Sequence, residues 1–131
     1  MPHFPAITHV AVTVTDLRTS SEWYRRLLDV DPVLDEDGGD FHHVVFPLNG
    51  GMLLGLHAHG ATDPGDRFDE RRPGLDHIGF ACADRAELEL WTARLDELGI
   101  THGDVVDAHY GSGVSFRDPD NIALEFFAPP A

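Results

Sequence analysis

The sequence predicts an α+β fold built from two tandem βαβββ modules, residues 5–59 and 75–128, joined by a linker over 60–74. Two patterns lead there. The first is internal repetition: His9 and His77, Asp16 and Asp84, Trp23 and Trp91, and Leu27 and Leu95 are each separated by 68 residues. Landmarks coincident at one offset mark a duplicated unit. The second is hydrophobic periodicity. Short runs alternate with period two, and each module is interrupted once by a stretch with helical spacing.

In chain order, Ile7 to Val14 alternates as a strand, with Val10, Val12 and Val14 on one face and His9, Ala11 and Thr13 on the other. Thr19-Ser20-Ser21-Glu22 has the spacing of a capping box, and Trp23, Leu27 and their neighbours Tyr24 and Leu28 share one helical face. The acidic stretch 29–40 reads as a loop or sheet edge. Phe41 to Leu48 reads as a strand, and Gly50-Gly51 as a turn into a strand from Met52 to His59. The Gly-, Pro-, Asp- and Arg-rich stretch that follows is the linker. Asp76 to Ala83 restarts the pattern. Asp84 caps a helix lined by Leu88, Trp91, Leu95 and Leu98 and closed by Gly99. Because the box at Thr19 and the cap at Asp84 do not superpose, the two helices are expected to start at different points. Val105-Val106, Gly113 to Phe116 and Ile122 to Phe127 supply the remaining strands, the last entered through Asp118-Pro119-Asp120-Asn121.

Glu125 lies in the middle of that last apolar run, where a carboxylate needs a cationic or hydrogen-bonding partner. The repeat offset carries Glu125 onto His57, and His9 to His57 spans the same 48 residues as His77 to Glu125. At all four positions the same-face neighbour two residues away is Ala or Gly, while the opposite faces carry large apolar residues. The helices are therefore expected on the outer face, and a cavity around His9, His57, His77 and Glu125. Three imidazoles and a carboxylate suit one divalent ion per site, Zn, Ni, Fe or Mn. The separations are too long for a local metal motif, so the ligand expectation rests on the repeat.

Composition narrows the function classes. Nine arginines, no lysine and 23 acids give a formal charge of −14, which opposes binding to nucleic acid or an anionic membrane. The single cysteine, Cys82, excludes an intrachain disulfide and sits among apolar residues as an inert thiol. No basic segment followed by an apolar run opens the chain, and no apolar stretch has membrane-spanning length, so a cytoplasmic location is expected.

His9-Val10-Ala11-Val12 with Asp16-Leu17 and Trp23-Tyr24, Asp76-His77-Ile78-Gly79-Phe80, and the closing Phe116-Arg117-Asp118-Pro119-Asp120-Asn121-Ile122-Ala123-Leu124-Glu125 resemble the vicinal oxygen chelate superfamily. That family includes glyoxalase I, methylmalonyl-CoA epimerase, extradiol dioxygenases, fosfomycin-modifying enzymes and bleomycin-resistance proteins. The resemblance covers nearly the whole chain and implies a single glyoxalase-like domain over 1–131, with a cupped mixed sheet holding the metal. Asn121 stands where glycine is more usual.

His9, His77 and Glu125 match the family's ligand positions, and His57 falls where glyoxalases and epimerases carry Glu or Gln. The implied activity is a glyoxalase- or epimerase-like isomerase or lyase acting on a small substrate with adjacent oxygens. In such enzymes the metal stabilises an enediolate or enolate while a carboxylate moves the proton. Glu125 is then the main candidate base, and His57 the second.

Two rival readings stand beside it. One is an Fe(II) extradiol-type dioxygenase using His9, His77 and Glu125. The family's tyrosine is absent from Gly113 to Phe116, leaving Tyr110 and His109 as substitutes. The other is a metal-free antibiotic-binding protein whose acidic surface suits a cationic drug. The resemblance also implies a homodimer.

For the remaining residues the simpler roles are expected. Trp23 and Trp91 pack the core, His42, His43 and His59 lie at the surface, and His102 has no assigned role. Arg71, Arg72 and Arg117 are solvated charges, or hold an anionic substrate.

Overall fold

A computed structural model describes residues 1–131. They divide into two units, Met1–Asp66 and Arg67–Ala131, the boundary falling inside the expected linker. The architecture is α+β: each unit is a βαβββ module with its own four-stranded mixed sheet and one helix.

In unit 1, β1 (His9–Thr13) leads into α1 (Leu17–Leu28), β2 (Leu34–Asp37), β3 (Phe41–Pro47) and β4 (Leu53–His59), in sheet order β1-β4-β3-β2. β1 runs parallel to β4, and the other pairs are antiparallel. Val12, Val14, Val44, Phe46, Leu54 and Leu56 are buried on the side where α1 buries Tyr24 and Leu27. His9, Ala11 and Thr13, on the alternate face of β1, are exposed. The acidic stretch contributes the short edge strand β2, whose charges discourage pairing with another chain.

Unit 2 repeats the plan with β5 (Ile78–Ala81), α2 (Arg85–Glu97), β6 (Val106–Ala108), β7 (Gly111–Arg117) and β8 (Ala123–Ala128), in order β5-β8-β7-β6. Phe80, Val114, Phe116, Leu124 and Phe126 are buried on the side of Leu88 and Leu95. Cys82 is buried there too, and burial pushes its thiol up to about 11, in keeping with an inert side chain.

Two expectations are corrected. The cap of α1 is Asp16, whose carboxylate accepts from the Thr19 amide at 3.1 Å; the Thr19 box lies inside the helix. Asp84 caps α2 in the same way, accepting from Glu87 N at 2.9 Å. Asp16 and Asp84 are one of the repeat pairs, so the helices start at equivalent points after all. An aspartate at the end of a strand competes successfully with a threonine one turn later, because it meets the unpaired amides first. The second correction concerns Trp23, since Trp91 packs α2 on the sheet as expected. Tyr24 is fully buried, while Trp23 is half-buried and meets it edge-on at 4.8 Å; half-buried Trp91 stacks on Phe126 at 4.5 Å.

Turn chemistry explains the chain reversals. Asn121 has φ 68°, the left-handed region that accounts for glycine being usual there and asparagine being tolerated. Asp118 is buried, and its carboxylate accepts from the Asp120 and Ile122 amides, both at 2.8 Å, closing the turn into β8. Gly111 opens β7 at φ 146°, and a Cβ there would collide with the Phe127 ring and the Ala128 carbonyl. Gly111→Ala is expected to destabilise the chain by about 2 to 4 kcal/mol in urea unfolding, from backbone strain and overpacking together. An unchanged midpoint would show that β7 is not held as described.

Candidate functional site

Strand alternation places the functional side chains on the face of each sheet away from its helix. In unit 2, His77 immediately precedes β5, and the β5–β8 register pairs Gly79 with Glu125. His77 and Glu125 are therefore diagonal neighbours on one face, and His77 Nε2 lies 3.4 Å from Glu125 Oε1. Glycines make room for the acid: a Cβ on Gly79 would lie 3.2 Å from Oε1, and one on Gly113 3.5 Å from Oε2. A cavity of about 280 Å³ opens here, lined by Glu70, Asp76, His77, Ser115, Arg117 and Glu125 among others.

Asp76 is a residue that the sequence reading passed over. Its carboxylate accepts from His77 Nδ1 at 2.7 Å, which places the proton of the neutral ring on Nδ1 and orients Nε2 toward Glu125. In unit 1, Thr8 Oγ1 is hydrogen-bonded to His9 Nδ1 at 2.8 Å. Thr8 and Asp76 obey the same 68-residue offset, a signal that was present in the sequence.

His57 is placed differently from the expectation. β1 and β4 pair Ala11 with Gly55 and Thr13 with His57. Since Ala11 corresponds to Gly79, the counterpart of Glu125 in the sheet is Gly55, and the offset has become 70 by the last strand. His57 stands two residues further on the same face. His43 lies directly opposite it, with ring centroids 5.3 Å apart, and Phe41 stacks on it at 5.4 Å. His59 stacks on Phe41 at 5.9 Å. Burial lowers the His57 pKa, and the nearby imidazoles of His43, His59 and His9 add to that.

Other expectations resolve individually. His42 faces the helix side and pairs with Asp35. His43, expected at the surface, is half-buried with Glu36 Oε2 3.7 Å away. His102 ties Asp96 to the Gly103 carbonyl, each at 2.7 Å. Arg117 donates to Glu70 at 2.7 Å and to the Asn121 carbonyl, so it is engaged within unit 2, and this pairing holds Glu70 down at about 2. Arg71 is likewise bound to Asp69.

No set of three or more His, Cys, Asp or Glu side chains is drawn together as a metal-holding group. The His77–Glu125 pair nevertheless fits two ligands of one ion. A nitrogen and an oxygen each about 2.1 Å from a tetrahedral ion lie about 3.4 Å apart, and that is the separation seen.

A family model for the Glyoxalase/Bleomycin resistance protein/Dioxygenase superfamily matches residues 6–126. The chain belongs to this superfamily. It is similar to a glyoxylase/bleomycin resistance protein/dioxygenase domain from Frankia sp. EAN1pec, with 33% identity, a TM-score of 0.87, and coverage of 97% of this chain and 93% of that one. The vicinal oxygen chelate fold is shared with lactoylglutathione lyase from Agrobacterium tumefaciens (24% identity, TM-score 0.70, 94% and 92% covered). It is also shared with a FosX variant from Listeria monocytogenes complexed with Mn(II) and 1S,2S-dihydroxypropylphosphonic acid (20% identity, TM-score 0.70, 95% and 90% covered). No curated protein matches the chain. No helix is long and apolar enough to cross a membrane.

The electrostatics of this vicinal oxygen chelate chain make a pH prediction. The Asp76 hydrogen bond, helped by the charge of Glu125, raises the His77 pKa above its ordinary value near 6.5. The protonated ring thus supports the metal-free fold fully at pH values below the unfolded pKa, and this support fades as pH rises through the raised folded value. In an NMR titration of metal-free protein, His77 is expected to titrate above His57. Asp76→Asn should bring His77 down and leave His57 where it was. Equal pKa values for the two rings in the unsubstituted chain would contradict the assignment.

Proposed function

We propose that the chain is a divalent-metal-dependent enzyme, a glyoxalase- or epimerase-like isomerase or lyase acting on a small substrate with adjacent oxygens. The observation that carries this reading is the His77–Glu125 pair at 3.4 Å, beside small residues on an open sheet face, with Asp76 holding the other nitrogen of His77. A structural ion pair has no need of a fixed imidazole tautomer, glycines on both sides and a cavity above it. Superfamily membership supports the same class.

On this reading His77 and Glu125 are the ligand pair of unit 2, and His9 and His57 are the candidate ligands of unit 1, considered by itself. When bound, the ion supplies Lewis-acid polarisation of the substrate's adjacent oxygens. Each remaining role belongs to the chain. Asp76 holds the proton of the neutral His77 ring on Nδ1, which leaves Nε2 as the ligating nitrogen and keeps it aimed. Gly79 and Gly113 leave the Glu125 carboxylate free to move between binding and proton transfer. Glu125, three-quarters buried as a side chain, takes the proton from carbon and returns it. Ser115, directly opposite Glu125 on β7, is placed to hold a substrate oxygen.

Metal analysis after loading with Zn(II), Ni(II), Mn(II) or Fe(II) should give about one equivalent per site. His77→Ala should lower affinity by about 100-fold or more, as expected for losing a ligand rather than a supporting contact. Glu125→Gln should keep most of the affinity and reduce turnover of a hemithioacetal or 2-ketoacyl thioester by about 10² to 10⁴. A chain that takes up no ion in any of these loadings would end this reading.

Ring-cleaving dioxygenase chemistry on Fe(II) is the second reading. It is favoured by Tyr110, whose ring stacks on Phe127 at 6.3 Å, on the strand face that also carries Glu125. Under that reading the ferrous protein consumes oxygen with a catechol, and Tyr110→Phe slows consumption by about tenfold or more. Stable zinc occupancy with no oxygen uptake excludes it.

A further inference from the structure

The cavity of unit 2 contains one guanidinium to which the metal reading gives no task. Arg117 lies on β7 two residues from Ser115, so alternation turns both side chains to the face that carries Glu125. A guanidinium lining an enzyme cavity ordinarily serves to hold a carboxylate or phosphate. Here Glu70 already occupies that place. Its Oε1 accepts from Arg117 Nη2 at 2.7 Å and its Oε2 from Nη1 at 3.1 Å, the two-pronged geometry by which arginine grips a carboxylate. Nη1 also donates to the Asn121 carbonyl at 3.1 Å.

The simplest role for the pair would be to fasten the segment before β5 to the turn before β8. Other bonds already do so. Phe68 N donates to the Asp120 carbonyl at 3.0 Å, and Asn121 Nδ2 donates to the Phe68 carbonyl at 3.1 Å. Glu70, two residues on, is thus delivered to Arg117 by contacts that involve neither charge. What the pair does change is the potential inside the cavity. The ionisable lining is Glu70, Asp76, Glu125, Arg117 and His77. With Glu70 in place the one permanent cation is cancelled, and two carboxylates remain against one imidazole. Asp69 and Asp76 also face the Arg117 guanidinium, which deepens the negative potential around it.

We infer that Glu70 is a specificity residue: by filling the grip of Arg117 it closes the unit 2 cavity to anionic groups, so the end of the substrate received here is an uncharged hydroxyl or carbonyl. The inference rests on the reading of this cavity as a substrate site and adds the class of group it takes. Carboxylates, phosphates and phosphonates are refused. Ser115, exposed directly opposite Glu125, offers the hydroxyl that meets an uncharged oxygen, donating to a carbonyl or accepting from an alcohol.

The first test uses the metal-free full chain and inorganic phosphate, followed by NMR at the Ser115 amide and the His77 ring, with folding of each variant verified by circular dichroism. Glu70→Gln is expected to bind phosphate about tenfold or more tightly than wild type, and adding Arg117→Gln to it should abolish the gain. Both variants lack the ion pair, so a fastening role would move them alike. The second test uses the metal-loaded chain and two hemithioacetals of methylglyoxal, one from uncharged 2-mercaptoethanol and one from anionic mercaptoacetate. Wild type should favour the uncharged one in kcat/KM by about tenfold, mainly through KM, and Glu70→Gln should erase that preference.

Phosphate binding no tighter in Glu70→Gln than in wild type overturns the inference, and a gain that persists in the double variant overturns the part given to Arg117. Equal use of the two hemithioacetals by wild type overturns the substrate class. A gain of phosphate in Glu70→Gln alone, in a chain that takes up no metal and turns over neither hemithioacetal, supports the charge filter while ending the enzymatic reading.

Discussion

The site depends on parallel pairing of the first and last strand of each module. In a parallel pair the hydrogen bonds are slanted and evenly spaced, so the register set by the apolar residues on one face fixes the position of every polar residue on the other. Leu54 and Leu56 in unit 1, and Leu124 and Phe126 in unit 2, are almost wholly buried against the helix side. A slip of one residue would turn all of them to solvent. Because they do not slip, Glu125 stands opposite Gly79 and one step diagonally from His77, with Oε1 3.4 Å from Nε2.

That same register produces the asymmetry between the modules. The apolar ladder is satisfied by Leu54 and Leu56, and it puts Gly55 between them on the open face. Core packing is indifferent to what Gly55 carries outward, so the open face is free to diverge between the units. Unit 1 has used that freedom for a cluster of rings: Phe41, His43, His57 and His59. Unit 2 has glycines at the positions matching Phe41 and His43, namely Gly111 and Gly113, and an acid beside them. One sheet presents imidazole, the other carboxylate with room to move.

Electrostatics separate the two halves in the same sense. His77 is drawn toward protonation by Asp76 and Glu125, while His57 is pushed toward the neutral form by burial among other imidazoles. A neutral imidazole is the form that ligates, so burial favours the ligating form of His57, while Asp76 and Glu125 oppose it at His77. Beside Glu125, the acids that line the unit 2 cavity are Asp76 and Glu70. Of these, Glu70 is already paired with Arg117.

The sequence by itself determined the duplicated βαβββ plan, the helix-facing residues, and His9, His77 and Glu125 as candidates, because each is written in a local period or in a repeat of local landmarks. Periodicity tells which face a residue occupies, and the four polar residues do lie on faces away from the helices. Only the tertiary structure decided how far along its neighbour each strand lies. The offset of 68 holds through Leu27 and Leu95 and becomes 70 by Val44 and Val114, both buried on β3 and β7. The two extra residues lie in loops whose length no hydrophobic pattern records. Subtraction therefore led from Glu125 to His57, and pairing leads to Gly55. The helix caps show the same limit: Asp16 and Thr19 both suit an N-terminus by type, and the choice fell to whichever met the free amides where β1 ends.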